Sequence, residues 1–275
     1  MLKHHARTHE LVPDRLFLLG DSAEIDHRIS WRGAEDHGRF DPINVYLLRE
    51  GNQNLLVEAG VALFEQTVNE QIASLIGDGE LSRLAVTRNE PDTISNVPGL
   101  VKRWHLKQAN TPGVMNPLDY FEDASAHYQM ISFGVEQVPI RPGDKIGIAG
   151  DRVLEAVQAP LRMLSTTWYY DNGAKALFCS DIMTDSAGES REDRIVHEPV
   201  GLDTLVPYMR RNMLVRYDWL ARSRLRPIIE GLQTLFDSYE IDILAPSRGC
   251  VIVGRDAVKE REAALLTVLR ELTLS

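Results

Sequence analysis

A polar loop, Thr87–Thr93, follows a short apolar segment, Leu84–Val86, and this pair of segments most constrains how the chain can fold. A short apolar run bounded by polar residues is typical of a buried strand. Glu90 and Asp92 lie two positions apart just after it, and alternate side chains of extended backbone point the same way. Two carboxylates arranged in this way can bind a hard metal ion. A solvated loop with unrelated acids would show the same pattern, so other segments of the chain must show whether these two acids belong to a site.

Composition excludes several classes of partner. The chain has 275 residues, which is enough for one large domain or two small ones. Its formal net charge of −10 opposes binding to nucleic-acid phosphates and to anionic membranes. No segment approaches the roughly 18 apolar residues of a transmembrane helix, and the N-terminal residues lack the apolar core of a signal peptide. We therefore expect a cytoplasmic protein with neither a nucleic-acid nor a membrane partner.

Cysteine and histidine are sparse. Cys179 and Cys250 are too few for a disulfide framework or a cysteine-based zinc site. Both lie in apolar, strand-like segments, so we expect buried structural thiols. His4, His5 and His9 near the N-terminus could bind a metal ion adventitiously, but a solvated cluster without a function is the favoured interpretation.

Apolar runs and helical periodicity alternate along the chain and indicate an α/β fold. Strands are predicted at 43–48, 54–58, 82–86, 138–140, 146–148, 153–157, 166–170, 176–179 and 241–245. Helices are predicted at 61–76, 97–106, 203–223, from 227 onward, and at 256–272. Residues 11–42 are expected to be irregular, 107–135 have no clear assignment, and 182–201 suggest a mobile loop. We expect one domain over 1–275, with an irregular N-terminal extension at 1–40 and two mixed sheets packed face to face inside outer helices.

Four segments at predicted strand ends follow one another in a fixed order: 88–93, 159–162, 178–181 and 245–249. Their order and spacing resemble the metallo-β-lactamase fold superfamily, and within it the flavodiiron proteins and the single-domain oxygen-binding diiron proteins. The resemblance covers residues 40–255. It implies an αββα sandwich of two mixed sheets with outer helices. It also implies a homo-oligomer, because dimers are usual in that family.

The motifs of that family contain histidines that this chain lacks. The first motif is His-x-Glu-x-Asp-His, the second has a proline shortly before a histidine, and the last is close to Pro-Ser-His-Gly. The residues at the four histidine positions here are Arg88, Thr93, Arg162 and Arg248. This departure predicts that the metal site is degenerate and that no metal cofactor is bound.

The carboxylates of the family site are retained. Glu90 and Asp92 match the first motif, and Asp181 stands where the resemblance places the acid that bridges the two metal ions. Glu58 lies where the superfamily often has aspartate. If any metal ion binds, such as non-haem iron or another divalent ion, its ligands are expected to be Glu90, Asp92 and Asp181.

Arginine is a poor metal ligand, because its guanidinium stays protonated and has no lone pair to donate. Three arginines could instead balance the three carboxylates through charge-assisted pairs and so replace the ions. Arginines that converge at strand ends could also bind a small anionic molecule bidentately. The expected pocket consists of Arg88, Glu90, Asp92, Thr93, Arg162, Asp181 and Arg248. Glu90 and Asp92 are candidates for a general base, although no catalytic residue is assigned.

Three functions remain open. A metal-free member of the fold could bind a small anion or act as a regulator, which is the favoured hypothesis. An enzyme could use a rebuilt site, as a hydrolase, a lyase, or a diiron-type oxidoreductase or oxygen-binding protein, and His105 or His127 could then restore a ligand. A structural role could leave the pocket as a relic, with the arginines near 210–226 binding an acidic partner. No flavin domain is expected, because the chain ends about where the family's flavodoxin-like part would begin.

Overall fold

The structure, a computed structural model, describes residues 7–29, 32–113, 134–162, 164–183 and 185–274. The described chain forms two sheets of seven strands each, together with α-helices. The strands are β1 His9–Val12, β2 Leu16–Glu24, β3 Phe40–Glu50, β4 Gln53–Val57, β5 Arg83–Ala85, β6 Gln108–Pro112, β7 Glu136–Ile140, β8 Lys145–Ala149, β9 Arg152–Gln158, β10 Thr167–Asp171, β11 Ala176–Phe178, β12 Ile195–Val196, β13 Ile243–Ala245 and β14 Val251–Val253. The helices are α1 Glu65–Ile76, α2 Pro91–Ile94, α3 Val97–Trp104, α4 Leu202–Arg216, α5 Arg226–Ser238 and α6 Arg255–Leu274.

The chain divides into two compact units. The first unit comprises Met1–Asp21 and Ile43–Ala174, and the second comprises Ser22–Pro42 and Lys175–Ser275. A single domain over 1–275 stays a prediction.

The first unit contains the predicted hairpin. Strands β3 and β4 pair antiparallel with Glu50 opposite Gln53, so that Gly51 and Asn52 form a two-residue loop. Gly51 has a φ of +58°, which glycine adopts without the strain that a Cβ would cause. Beyond the hairpin, β4 to β7 pair in parallel, and β8, β9 and β10 form antiparallel pairs. The hairpin predicted from residues 43–48 and 54–58 is confirmed.

Helix α1 follows the predicted spacing of apolar residues. Phe64, Val68 and Ile72 are buried at intervals of four residues, as expected for one face of a helix. Gly77 ends the helix with a φ of +54°. The helix begins a few residues later than predicted, because Ala62–Phe64 forms a 3-10 turn.

The second unit carries three of the longer helices. Strand β13 pairs in parallel with β11 and antiparallel with β14, which pairs in parallel with β12. Helix α6 confirms the helix predicted at 256–272. The prediction of one helix over 203–223 is wrong, because α4 ends at Arg216 and a 3-10 turn, Asp218–Arg222, follows. Tyr217 separates the two with a φ of −129°, which is not helical.

The expectation that residues 11–42 are irregular is wrong. Strand β2 occupies Leu16–Glu24, and its residues Leu16, Leu18 and Leu19 are fully buried. A continuous apolar run buried on both faces shows no alternation, so periodicity did not reveal it. The loop predicted at 182–201 likewise contains β12, and Gly188 exchanges main-chain hydrogen bonds with Phe40.

The segment 107–135, which had no clear assignment, contains strand β6 near its start, and strand β7 begins just after its end. Residues 114–133, with His127, lie outside the described residues. His4 and His5 also lie outside them. Cys179 and Cys250 are buried, as expected. Within the described ranges, no helix combines the length and the apolar character needed to cross a bilayer.

Candidate functional site

Arg88 joins the two acids of its loop in the first unit. Its Nη1 donates to Oε2 of Glu90 at 2.7 Å, and its Nη2 donates to Oδ2 of Asp92 at 2.6 Å. The Arg88 side chain is 7% exposed, whereas those of Glu90 and Asp92 are 23% and 33% exposed. Charge-assisted bonds of this length are the strong kind. We refer to these three residues as the Arg88 clamp.

Local sequence fixes the shape of the loop. Glu90 has extended backbone and Pro91 opens α2, where a proline is tolerated because it has no N–H to satisfy. The backbone N–H groups of Thr93 and Ile94 donate to the Glu90 carbonyl, and the Thr93 hydroxyl donates to the same oxygen at 3.0 Å. Thr93 therefore shapes the turn of the loop, and its hydroxyl is used there.

Glu58 is a buried acid that contacts Thr87, the residue before Arg88. It is 1% exposed, and it accepts a short hydrogen bond from the hydroxyl of Thr87, which precedes Arg88. Burial raises the pKa of Glu58 from 4.5 to about 7, although Thr87 and the charge of Arg88 act in the opposite direction. Burial prevails because it removes water from the charged form. Glu58 therefore changes between its neutral and its charged form near pH 7.

Replacing Glu58 with glutamine should remove a pH dependence of stability. Because the folded pKa is raised to about 7, the native chain binds more protons than the unfolded chain between the two pKa values, and stability falls as pH rises through that window. The loss is about 3 kcal/mol between pH 4.5 and pH 7. We expect Glu58→Gln to lack this slope in urea unfolding measured from pH 4.5 to 8.

The control for this experiment is the exposed Glu136→Gln, which should keep the slope of the parent chain. Equal slopes in the parent and in Glu58→Gln would contradict the assignment of the raised pKa to Glu58.

Arg162 lies in the loop after β9 and is exposed. That loop runs back to the Arg88 clamp, because Thr166 pairs with Arg88 as an isolated bridge and Thr167 N donates to the Thr87 carbonyl at 2.9 Å. The structure thus brings together Arg88, Glu90 and Asp92 directly, and it places the loop that carries Arg162 beside them.

The other two predicted site residues belong to the second unit. Asp181 is half-buried, and its carbonyl accepts a hydrogen bond of 2.7 Å from Nη1 of Arg216. Arg216, one of the arginines near 210–226, is half-buried and bonds within its own unit. Arg248 is buried, and its Nη1 lies 3.8 Å from Oδ2 of Asp41. The described ion pair of Arg248 is therefore with a residue that the sequence did not single out.

A buried cluster of charges in the second unit was missed from the sequence. Arg32 donates to Asp41 at 2.6 Å, and its Nη1 lies 3.7 Å from Asp36. Asp36 also accepts hydrogen bonds from Tyr208 at 2.7 Å and Arg39 at 3.0 Å. Burial, and then the bond to Asp36, raise the pKa of Tyr208 to about 12. No sequence signal could have found this cluster, because its members are isolated charges in segments that show no periodicity.

Of the histidines named from the sequence as possible ligands, His9 and His105 lie within the described residues. His105 ends α3 in the left-handed conformation, with a φ of 52°, and is exposed. His9 is half-buried on β1. Over the ranges that the structure describes, no group of three or more His, Cys, Asp or Glu residues is arranged to hold a metal ion. In the Arg88 clamp, Oε2 of Glu90 and Oδ2 of Asp92 accept hydrogen bonds from the guanidinium.

Comparisons with known proteins identify the fold. A family model described as ODP family beta lactamase matches residues 42–247. Among curated proteins, none matches the sequence. A diflavin flavoprotein fragment from Nostoc superposes with a TM-score of 0.72 at 14% identity, covering 98% of this chain and 97% of the fragment.

Two further solved structures superpose on this chain over nearly its whole length. Rubredoxin oxygen:oxidoreductase from Desulfovibrio gigas superposes with a TM-score of 0.68 at 16% identity over 96% of this chain, and the flavodiiron protein from Giardia intestinalis with 0.65 at 13% over 95%. The chain spans 62% of the first protein and 59% of the second. At these identities the likeness shows the fold alone. The expected α/β sandwich of two mixed sheets with the metallo-β-lactamase fold is confirmed, as is the resemblance to flavodiiron cores.

Proposed function

Because the chain belongs to the family described as ODP family beta lactamase, we propose that it is a member without the dinuclear metal centre, which binds a small anion in a ligand-binding or regulatory role. The proposal concerns the first unit, where the Arg88 clamp and the Arg162 loop lie. The observation that carries it is the pair of bonds from Arg88 to Glu90 and Asp92, at 2.7 and 2.6 Å.

The residues of the Arg88 clamp do not fit a metal ion. Arg88 stands at the position of the first expected histidine, and its guanidinium places a positive charge against the carboxylates of Glu90 and Asp92. A guanidinium has no lone pair for a metal and remains charged at all ordinary pH values. Displacing it would leave a buried charge without a partner, which is costly. The clamp therefore stabilises the carboxylates in the way that the ions would, and we derive no reaction step through a metal.

The anion is expected to bind through Arg162. The two carboxylates of Glu90 and Asp92 outweigh the single positive charge of Arg88, so the clamp itself does not attract an added anion. Arg162 is exposed, and the main-chain pairing of Thr166 with Arg88 places its loop beside the clamp. An exposed guanidinium can bind a carboxylate or phosphate through two parallel hydrogen bonds.

Elemental analysis and thermal unfolding together test this proposal. We expect the purified chain to contain far less than one equivalent of iron, manganese or zinc. We also expect millimolar phosphate or acetate to raise its unfolding temperature, since a ligand that binds only the folded state stabilises it. Two equivalents of metal per chain would overturn the metal-free assignment.

Two variants locate the anion. Arg162→Ala should lose the stabilisation by phosphate, whereas Arg141→Ala, which removes another exposed arginine of the same unit, should keep it. Stabilisation that persists in Arg162→Ala would place the anion elsewhere.

An enzyme with a rebuilt site, including a hydrolase or a non-haem iron oxidoreductase, is the second candidate. Its proposed general bases, Glu90 and Asp92, are both bonded to Arg88. The metal analysis separates the two functions. Assembly as a homo-oligomer and a cytoplasmic location stay predictions.

A further inference from the structure

A groove of about 490 Å³ lies in the second unit along α4. We call it the α4 groove. Thr204, Tyr208 and Arg211 line it, and their spacing of four and three residues places them on one face of the helix. Its apolar lining consists of Ala187, Val196, Val200, Leu205 and Pro207. The volume falls within the range of about 300–1,000 Å³ that small-molecule sites occupy, and such sites usually combine apolar walls with a few polar groups.

The guanidinium of Arg211 is the polar group of the α4 groove that a ligand can use. Its Cζ lies 5.3 Å from the centre of the Tyr208 ring, a distance at which a guanidinium is attracted to an aromatic face. Its ion pair is with Glu35, through Nε. Among the residues that the structure describes, none accepts a hydrogen bond from Nη1 or Nη2 of Arg211. The side chain is 48% exposed, so these two nitrogens are accessible.

Arg39, a second guanidinium of the lining, has already used its outer N–H groups. Its Nη1 donates to Asp36 at 3.0 Å and to the Tyr208 hydroxyl at 3.1 Å. Its Nη2 donates to the Ala187 carbonyl at 2.6 Å and lies 2.9 Å from Glu189. Each of these nitrogens carries two hydrogens, so Arg39 is not expected to bind a ligand.

Arg261 and Asp185, the other charged residues of the lining, are buried. They are 2% and 4% exposed, and they lie 3.8 Å apart. Nη1 of Arg261 also donates to Glu260 at 2.7 Å. Burial and these ion pairs leave neither residue available to a ligand. Arg211 is therefore the accessible cation of the α4 groove.

The acids near the α4 groove limit the charge of its ligand. Glu35 and Glu189 are 39% and 79% exposed, and ion pairs of exposed side chains contribute little to stability. A carboxylate can therefore share Arg211 with Glu35, and it matches two parallel N–H groups of a guanidinium. A dianionic phosphate would be repelled more strongly by Glu35, Glu189 and Asp185. A head group with a single negative charge is favoured.

We propose that the α4 groove binds a small carboxylic acid with an apolar body. The carboxylate accepts hydrogen bonds from Nη1 and Nη2 of Arg211, and the apolar body lies on Val196, Val200 and Pro207. The α4 groove shares no residue with the Arg88 clamp or the Arg162 loop, so this site does not depend on the function proposed above.

Three probes separate the head group from the apolar body at neutral pH. Benzoate has both the charge and the ring, benzamide keeps the ring without the charge, and acetate keeps the carboxylate without the ring. Binding to the full chain is followed by NMR titration through the amide signals of Val200 and Thr204, which line the α4 groove. We expect benzoate to bind with a dissociation constant on the order of 1 mM. Benzamide and acetate should bind at least about tenfold more weakly, because each lacks one of the two contacts.

Arg211→Gln and Arg210→Gln test the head-group contact. Arg211→Gln should weaken benzoate binding about tenfold or more and remove the preference for benzoate over benzamide. Arg210 is the adjacent arginine of α4, is 40% exposed, pairs with Glu271 and is not part of the lining. Arg210→Gln should therefore keep both the affinity and the preference.

Val200→Trp and Val215→Trp test the position of the apolar body. Val200 is 49% exposed and lines the α4 groove, so Val200→Trp should obstruct it and weaken benzoate binding about tenfold or more. Val215, near the end of α4, is 43% exposed and is not part of the lining. Val215→Trp should leave the affinity unchanged.

The variant Arg162→Ala separates this site from the anion site of the first unit, because it should bind benzoate at the Val200 and Thr204 signals as the parent chain does. Loss of those shifts in Arg162→Ala would overturn the proposal. So would benzamide or acetate binding as tightly as benzoate, an Arg211→Gln variant that keeps the preference for benzoate, or a Val200→Trp variant with the parent affinity.

Discussion

Replacement of Asp171 by alanine is expected to lower the free energy of unfolding by about 3–5 kcal/mol. Asp171 is fully buried and forms a two-bond pair with Arg152, Nε to Oδ1 at 3.0 Å and Nη2 to Oδ2 at 2.5 Å. The Arg152 side chain is only 2% exposed. Removing the acid leaves this buried guanidinium beside a cavity, with the half-buried Glu50, at 3.2 Å, as its remaining ion-pair partner. A buried charge that loses its closest partner costs far more than a lost surface contact. Equilibrium unfolding in urea measures the change.

Two comparisons identify the cause of that loss. Glu80→Ala breaks an exposed ion pair with Lys107 and should leave stability essentially unchanged. The double variant Arg152→Met/Asp171→Leu should lose less than the sum of the two single changes, because it leaves no buried charge behind. Additive losses would show that the two side chains act independently of each other.

The second large effect is expected for Arg32→Met in the second unit, again about 3–5 kcal/mol. Arg32 is 1% exposed and lies between two carboxylates, at 2.6 Å from Asp41 and 3.7 Å from Asp36. Burial alone would lower the pKa of Arg32, but Asp41 and Asp36 outweigh it, so the residue stays charged. Without it, two buried acids face each other with fewer cations, and the second unit is destabilised.

Arg28→Met is the matched control, since Arg28 is 77% exposed and pairs with Asp26 at the surface. It should unfold at the same urea concentration as the parent chain. An Arg32→Met variant as stable as Arg28→Met would show that the buried cluster of Arg32, Asp36 and Asp41 does not stabilise the fold.

The Arg88 clamp illustrates what short-range sequence can disclose about a site. Arg88, Glu90 and Asp92 lie within four positions of one another, and a strand end followed by a proline-initiated turn brings their side chains together. Residues this close in the sequence have few other charged side chains within reach. The pairing of Arg88 with these acids was therefore open to prediction from the loop itself.

Arg248 illustrates the opposite case. The sequence grouped it with Glu90, Asp92 and Asp181, whereas its described ion pair is with Asp41, about two hundred positions away in the chain. Pairs of this kind depend on which distant segments of the chain lie next to each other in the fold, and no local sequence pattern indicates this. For the same reason the fully buried pair of Arg152 and Asp171 escaped notice.

The sequence by itself determined the α/β class, the β3–β4 hairpin, helices α1 and α6, and the acidic loop after β5. These follow from local rules, because burial of one face leaves a period in the chain and turns need particular residues. Tertiary structure alone decided that Arg248 pairs with Asp41 and Arg152 with Asp171. It also decided that Arg216 binds the Asp181 carbonyl and that residues 16–24 form a strand. Charge pairing depends on distances in space, and a strand buried on both faces leaves no alternation to detect.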